Sequence, residues 1–263
     1  MELFALGAII FYIAATYYCI KALTVTQQPS IRTIFILGAG ATLCHLFWMG
    51  FDIVTAAGIN LSIINVATLI SLLISIIMTL SINKFKILPL LPIVYGFSAI
   101  VIALSYLIPT TYISHLSDNI PLVVHIIVIL FAYAAFIVAS LLALQMAYLD
   151  YQLKHKRPIA MHPALPSLMT IEKQLVRLLS VGLALLSVAI LTSFIFFDNS
   201  FTHSQVHKTV LSILAWLFYS VLLWGHFKQG WRSNKIAFGT LFGSVLLSLA
   251  YFGSRFVKEI LLN

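Results

Sequence analysis

The sequence predicts an all-α membrane protein: a polytopic bundle of about eight transmembrane helices with both termini outside. Three observations predict it. First, the chain of 263 residues is 62% hydrophobic and only 8% charged, whereas a soluble domain carries about 25% charged residues. Second, its apolar residues fall into eight runs, each near the ~20 residues that cross a hydrocarbon core. Third, its lysines and arginines collect on one side of the resulting topology. Lipid offers the backbone no hydrogen-bond partner, so a span is a helix or a closed barrel. These runs are continuous, whereas barrel strands alternate. The whole chain, 1–263, reads as a single integral membrane domain.

The first span covers 3–23. No basic residue precedes it and no small-residue cleavage site follows it, so it reads as a retained helix and not as a signal peptide. The second, 32–53, carries Cys44 and His45 and ends beside Asp52. The third and fourth, 62–82 and 88–108, carry no charged residue. The fifth, 121–149, begins with His125, and the sixth covers 170–197. The seventh, 206–227, opens on His207 and Lys208, carries Trp216 and Trp224, and closes on His226, Lys228 and the triplet Gly230-Trp231-Arg232. Trp216 and Trp224 are expected to pack inside the bundle, with Trp231 and Arg232 as an interfacial anchor. The eighth, 235–258, contains Gly239 and Gly243 in a GxxxG pattern, expected to serve contacts within the bundle.

Orientation follows from the basic residues. The first, third, fifth and seventh connections and their flanks hold Lys21, Arg32, Lys84, Lys86, Lys154, Lys156, Arg157, Lys173, Arg177, Lys228, Arg232 and Lys235, which is 12 of the 15. Lys208, Arg255 and Lys258 lie opposite. The basic side is expected to be cytoplasmic. The net charge of +8 is therefore a topology signal and gives no reason to expect a nucleic-acid partner. The outer connections 54–61, 109–120 and 198–205 are short, and the inner loop 151–167 holds three of the eight prolines.

No phosphate-binding loop, nucleophile elbow, HExxH or CxxCH occurs, so no residue pattern assigns a covalent chemistry, and enzyme activity is not expected. Cys19 and Cys44 sit in separate spans and read as packing residues. Histidine remains. Of the eight, His115, His155, His162 and His203 fall in connections, where solvation is the default. His45 lies inside a span, where an ionisable side chain is costly and turns toward protein. At 100° per residue Gly38, Ala41 and Asp52 fall within about 40° of it, a small and polar face. His125 shares its azimuth with Ala132, Ala139 and Ala143, a small-residue stripe that admits a close neighbouring helix. His125 and His207 both stand at outer helix heads. Imidazole nitrogen there suits haem iron, zinc or copper, or simple interfacial solvation. No cysteine or carboxylate cluster favours zinc.

Four stretches in order carry a resemblance: "LCHLFWMGFDIVTAAGINLSIINV" (43–66), "LVVHIIVILFAYAAF" (122–136), "HKTVLSILAWLFYSVLLWGHFKQGWR" (207–232) and "LAYFGSRFV" (249–257). Together they resemble the haem-handling cytochrome c assembly membrane proteins of the CcsA/CcmC type. The resemblance implies haem as cofactor, a bacterial inner (cytoplasmic) membrane location, and cytochrome c biogenesis or other haem-receiving proteins as partners beside the lipid bilayer, with an oligomer compatible. It implies His45 as an intramembrane haem-iron ligand and His125 as the first external one. His226 lies about two residues from the place of the second intramembrane ligand, a displacement that turns a side chain by about 200°. After Tyr251 the last helix carries no histidine, so the second external ligand is absent from its family position. His207 is its candidate replacement, the alternative being a solvated helix start, and Lys208 is expected either to pair a haem propionate or to snorkel to the outer interface. The connection 198–206 has no tryptophan, so the Trp-rich haem-presenting loop is missing. The expected function is haem binding or handling without complete synthetase activity. The alternatives are a secondary transporter for a small molecule or ion, disfavoured because every Asp and Glu falls near a span end, and a ligand-free membrane assembly partner.

Overall fold

The computed structural model describes residues 2–24, 30–55, 58–108, 112–114, 120–156, 165–196, 206–232 and 234–253. Among these are eight α-helices: α1 (Glu2–Thr24), α2 (Ile31–Ile53), α3 (Ile63–Ser81), α4 (Leu91–Leu107), α5 (Ile120–Lys154), α6 (Leu168–Phe196), α7 (Val206–Gln229) and α8 (Asn234–Ser248). A π-helical turn, Leu249–Gly253, prolongs α8. Six of the helices are long and apolar enough to cross a membrane; α4 is shorter, and α8 reaches its length only with the π turn. The chain is a multi-pass membrane helix bundle, as its sequence predicts.

Helix ends follow local chemistry. Ser30 caps α2 by accepting from the Arg32 N–H, and Ser62 caps α3 by accepting from the Asn65 N–H, each satisfying a donor that the first turn leaves open. Pro92 stands in the first turn of α4, where no N–H is needed. Helix α5 runs five residues past the expected 149, because Asp150 and Lys154 form an (i, i+4) ion pair of 2.8 Å on its last turn.

The chain divides into two compact units, 1–118 with 161–166 and 119–160 with 167–263. In the first, α1 packs on α2 and α4, and α3 packs on the same two, closing a ring of four helices. In the second, α5 packs on α6 and α8, and α7 on the same two. Within the second unit Gly239 and Gly243 face Leu222 and Tyr219 of α7; a Cβ at Gly243 would stand 2.6 Å from the Tyr219 ring. The GxxxG face is thus used inside one unit.

The short connection 54–61 carries structure of its own: β1 (Val54–Thr55) pairs antiparallel with β2 (Gly58–Asn60), which pairs with β3 (Ile113–Ser114). Gly58 takes φ +135 there, a conformation open to glycine. Strands of two or three residues are too short to show an alternating pattern. One expectation is corrected: Trp224 does not pack inside the bundle; it is 54% exposed, on an outward stripe with Val221 and Phe227. A membrane helix loses nothing by turning such residues to lipid, so hydrophobicity alone does not separate inward from outward positions. Trp216 does turn to a neighbour, donating its indole N–H to the Ser187 hydroxyl at 2.7 Å.

Candidate functional site

His45 is the most enclosed of the candidate residues. It lies on the inward face of α2 with Gly38 and Ala41, and its side chain is 0% exposed. Two α1 features make room for it. Ala5, Ala8, Ala15, Cys19 and Ala22 form a buried stripe of small residues at three- and four-residue spacing, and Tyr12 is the one large residue in that stripe. The Tyr12 hydroxyl lies 3.2 Å from His45 Nδ1. The two rings meet edge-on at 5.8 Å, and Trp48, one turn along α2, stands 6.1 Å from the imidazole.

Polar side chains continue inward from this pair. Tyr12 lies 5.6 Å from the ring of Tyr95 on α4. The Tyr95 hydroxyl bonds the Thr79 hydroxyl at 2.8 Å, and Ser75 bonds Ser98 at the same distance. Gly38 permits this approach, since a Cβ there would fall on the Tyr95 hydroxyl. The Nε2 atom of His45 is buried and has no hydrogen-bond partner among the described residues, and the Thr16 hydroxyl of α1 is in the same state.

Toward the sheet, Asn60 fixes the chain entering α3. Its side-chain oxygen accepts from the Tyr112 N–H at 2.9 Å and from the Ser62 N–H at 3.3 Å, while Asn65 donates to its carbonyl. Asn60 is part of the stretch that carries the family resemblance, and its place there is a structural one.

In the second unit His125 is half-buried on the first turns of α5. Its Nδ1 lies 3.0 Å from the Thr192 hydroxyl of α6. Ala132, Ala139 and Ala143 of the same stripe are buried, and α6 is a neighbour they admit. His226 sits in the last turn of α7. Its Nδ1–H donates to the Trp231 carbonyl at 2.8 Å, with Glu172 Oε1 at 3.8 Å. A carbonyl only accepts, so Nδ1 holds the proton and the neutral ring carries its lone pair on Nε2. His207 and Lys208 belong to the first turn of α7, but their side chains lie outside the described residues, as do His115, His162 and His203. His155 packs on Tyr151, ring to ring at 4.2 Å.

Among the described residues no three His, Cys, Asp or Glu side chains converge as a metal cage would require. An axial iron site asks less: one imidazole nitrogen with a free lone pair, the other nitrogen held by a hydrogen bond. His45 meets that demand when Nδ1–H donates to the Tyr12 oxygen, because Nε2 then carries an unused lone pair in a buried place. Its donor chemistry therefore fits haem iron. No water-sized space touches the ring, so admitting a flat macrocycle requires α1 and α2 to separate around Tyr12 and Trp48.

Tyr12, Trp48 and Tyr95 join His45 in this layer without belonging to any metal-binding motif in the sequence. A signal for Tyr12 lies in α1: a tyrosine alone in a stripe of alanines and a cysteine marks a place where one bulky polar group meets its partner.

The chain matches the family described as Cytochrome C assembly protein over residues 33–262. It is 38% identical over 263 residues to the Inner membrane protein YpjD of Escherichia coli (strain K12), covering 99% of this chain and 100% of that one. It is also 30% identical over 141 residues to the Uncharacterized 28.8 kDa protein in nifR3-like 5'region of Azospirillum brasilense, covering 53% of this chain and 52% of that one. No solved structure matches it.

Proposed function

Because the chain belongs to the cytochrome c assembly protein family, we propose that it binds haem in the bacterial inner membrane and passes it to a haem-receiving protein. The observation that carries this reading is the buried, partnerless Nε2 of His45 beside the Tyr12 hydroxyl. Burying such a nitrogen without a partner costs roughly 1–3 kcal/mol, and an axial metal bond would make use of it.

Haem, when bound, would supply an iron centre that takes imidazole nitrogen as a ligand. His45 would hold that iron within the membrane. Tyr12 orients the His45 ring and would accept from Nδ1–H in the tautomer that leaves Nε2 for the metal. His125, oriented by Thr192, would be the outer-side ligand. His207 would be the favoured second outer ligand, and Lys208 would offset a propionate charge. His226 carries the ligand-ready tautomer and is the further candidate.

The connection 198–206 contains no tryptophan, so the Trp-rich platform on which haem and an apoprotein would meet is missing from the sequence. Transfer to a partner is therefore favoured over covalent attachment by this chain alone. The experiment is a haem determination on protein purified in mild detergent from haem-replete cells. Near-stoichiometric haem with a Soret band is expected. Colourless protein under those conditions would contradict the reading and leave a ligand-free assembly partner.

A further inference from the structure

Beyond the hydrogen bond from His226 to the Trp231 carbonyl, the triplet Gly230-Trp231-Arg232 is tied down by several further contacts. Gly230 takes φ +67, which a side chain would resist. The chain reverses there, and the Trp231 N–H donates back to the Gly225 carbonyl at 3.0 Å. The indole lies flat over Gly225, where any Cβ would strike the ring. Lys235 stands over the indole, 5.8 Å from its centre. Each of these contacts fixes the loop at a place where a membrane helix pair needs only a short connection.

What the turn creates is a cleft of about 410 Å³ lined by Asp150 and Lys154 of α5, Trp231 and Arg232 of the turn, and Asn234 and Lys235 at the start of α8. Three cations face one carboxylate. Asp150 is committed to Lys154 at 2.8 Å, and the Arg232 guanidinium has no ion pair among the described residues. The first residues of α8 add the positive end of that helix. Just inside the membrane from the cleft, Phe227 of α7 and Phe238 of α8 are 67% and 63% exposed, turned outward where acyl chains lie.

We propose that this cleft binds a phosphate-bearing anion, with the headgroup of an anionic phospholipid as the favoured source. Arg232 and Lys235 hold the phosphate, and Lys154 is drawn in from Asp150. Phe227 and Phe238 lie beside the chains. A basic pocket between helices at the positive membrane face has the charge for such a headgroup, and the exposed aromatic pair separates a lipid from a free ion.

The test is a titration of the full chain in detergent with phosphatidylglycerol, with phosphatidylcholine and with inorganic phosphate, following the unfolding midpoint. Phosphatidylglycerol is expected to raise the midpoint, and phosphatidylcholine is not. The double variant Arg232→Gln/Lys235→Gln is expected to weaken the phosphatidylglycerol response by roughly tenfold or more. Asp150→Asn, which frees Lys154, is expected to strengthen it, and Lys84→Gln/Lys86→Gln to leave it unchanged. An equal, Arg232-dependent response to inorganic phosphate alone would assign the site to a soluble anion. A phosphatidylglycerol response identical in wild type, the double variant and Asp150→Asn would overturn the site. These variants are exposed or at a helix end, and a cooperative melt without lipid verifies that each is folded.

Discussion

The Tyr12 hydroxyl stands 3.2 Å from Nδ1 of His45, in a layer where neither side chain reaches solvent. The phenol is the sole hydrogen-bond partner of the imidazole among the described residues, so it governs the ring angle; as a hydroxyl it can pair with either tautomer. Tyr12→Phe keeps the packing and deletes that bond. The expected cost is about 1 kcal/mol of stability. The expected functional effect is a 10–100-fold weaker hold on haem with a shifted Soret maximum, measured by haem titration of stripped protein. An unchanged affinity and band would remove Tyr12 from the site.

Gly38 tests the packing that positions this pair. A Cβ at Gly38 meets the Tyr95 hydroxyl, which is bonded to Thr79 and cannot withdraw without losing that bond. Gly38→Ala is expected to lower the stability of the first unit by about 1–3 kcal/mol. Gly50 has open space around it, so Gly50→Ala is expected to be neutral or slightly stabilising. Thermal melts in detergent compare the two.

The outer histidines give a paired prediction. If His125 and His207 share an iron, His125→Ala and His207→Ala each abolish any outer-site haem signal. If only His125 ligates, His207→Ala leaves the signal intact. Electron paramagnetic resonance of the oxidised protein distinguishes two axial imidazoles from one. A spectrum indifferent to His125→Ala would remove the outer site.

Topology is open to a direct check. With 12 of 15 basic residues on one side, a reporter fused after Asn263 is expected to be external and one inserted within 155–165 cytoplasmic. A cytoplasmic C-terminal reporter would put His125 and His207 on the wrong face.

Most of the fold is legible because a membrane span needs a long uninterrupted apolar run, a signal that composition alone carries. The observed ends of α2, α3 and α7 fall within about two residues of those expected, well inside the usual boundary scatter. Helical spacing puts His45 on one face with Gly38, Ala41 and Asp52, and the structure buries it. What the sequence did not disclose has physical reasons. The three short strands lack enough residues for an alternating pattern. Both units close the same ring of four helices, although no sequence repeat announces it. Trp224 turns to lipid because lipid and bundle interior are equally apolar. The partner of Tyr12 is 33 positions away, a pairing that helical spacing within α1 cannot indicate.

The proposed ligation of haem iron by His45 is tested most directly by the Soret spectrum of His45→Ala, purified from haem-replete cells beside wild type and His125→Ala, with imidazole added afterwards to each. A band is expected in wild type, a lost or strongly weakened band in His45→Ala, and its partial return when imidazole occupies the vacated position. A His45→Ala spectrum equal to wild type in position and intensity would contradict it and leave His45 as a packed core histidine held by Tyr12.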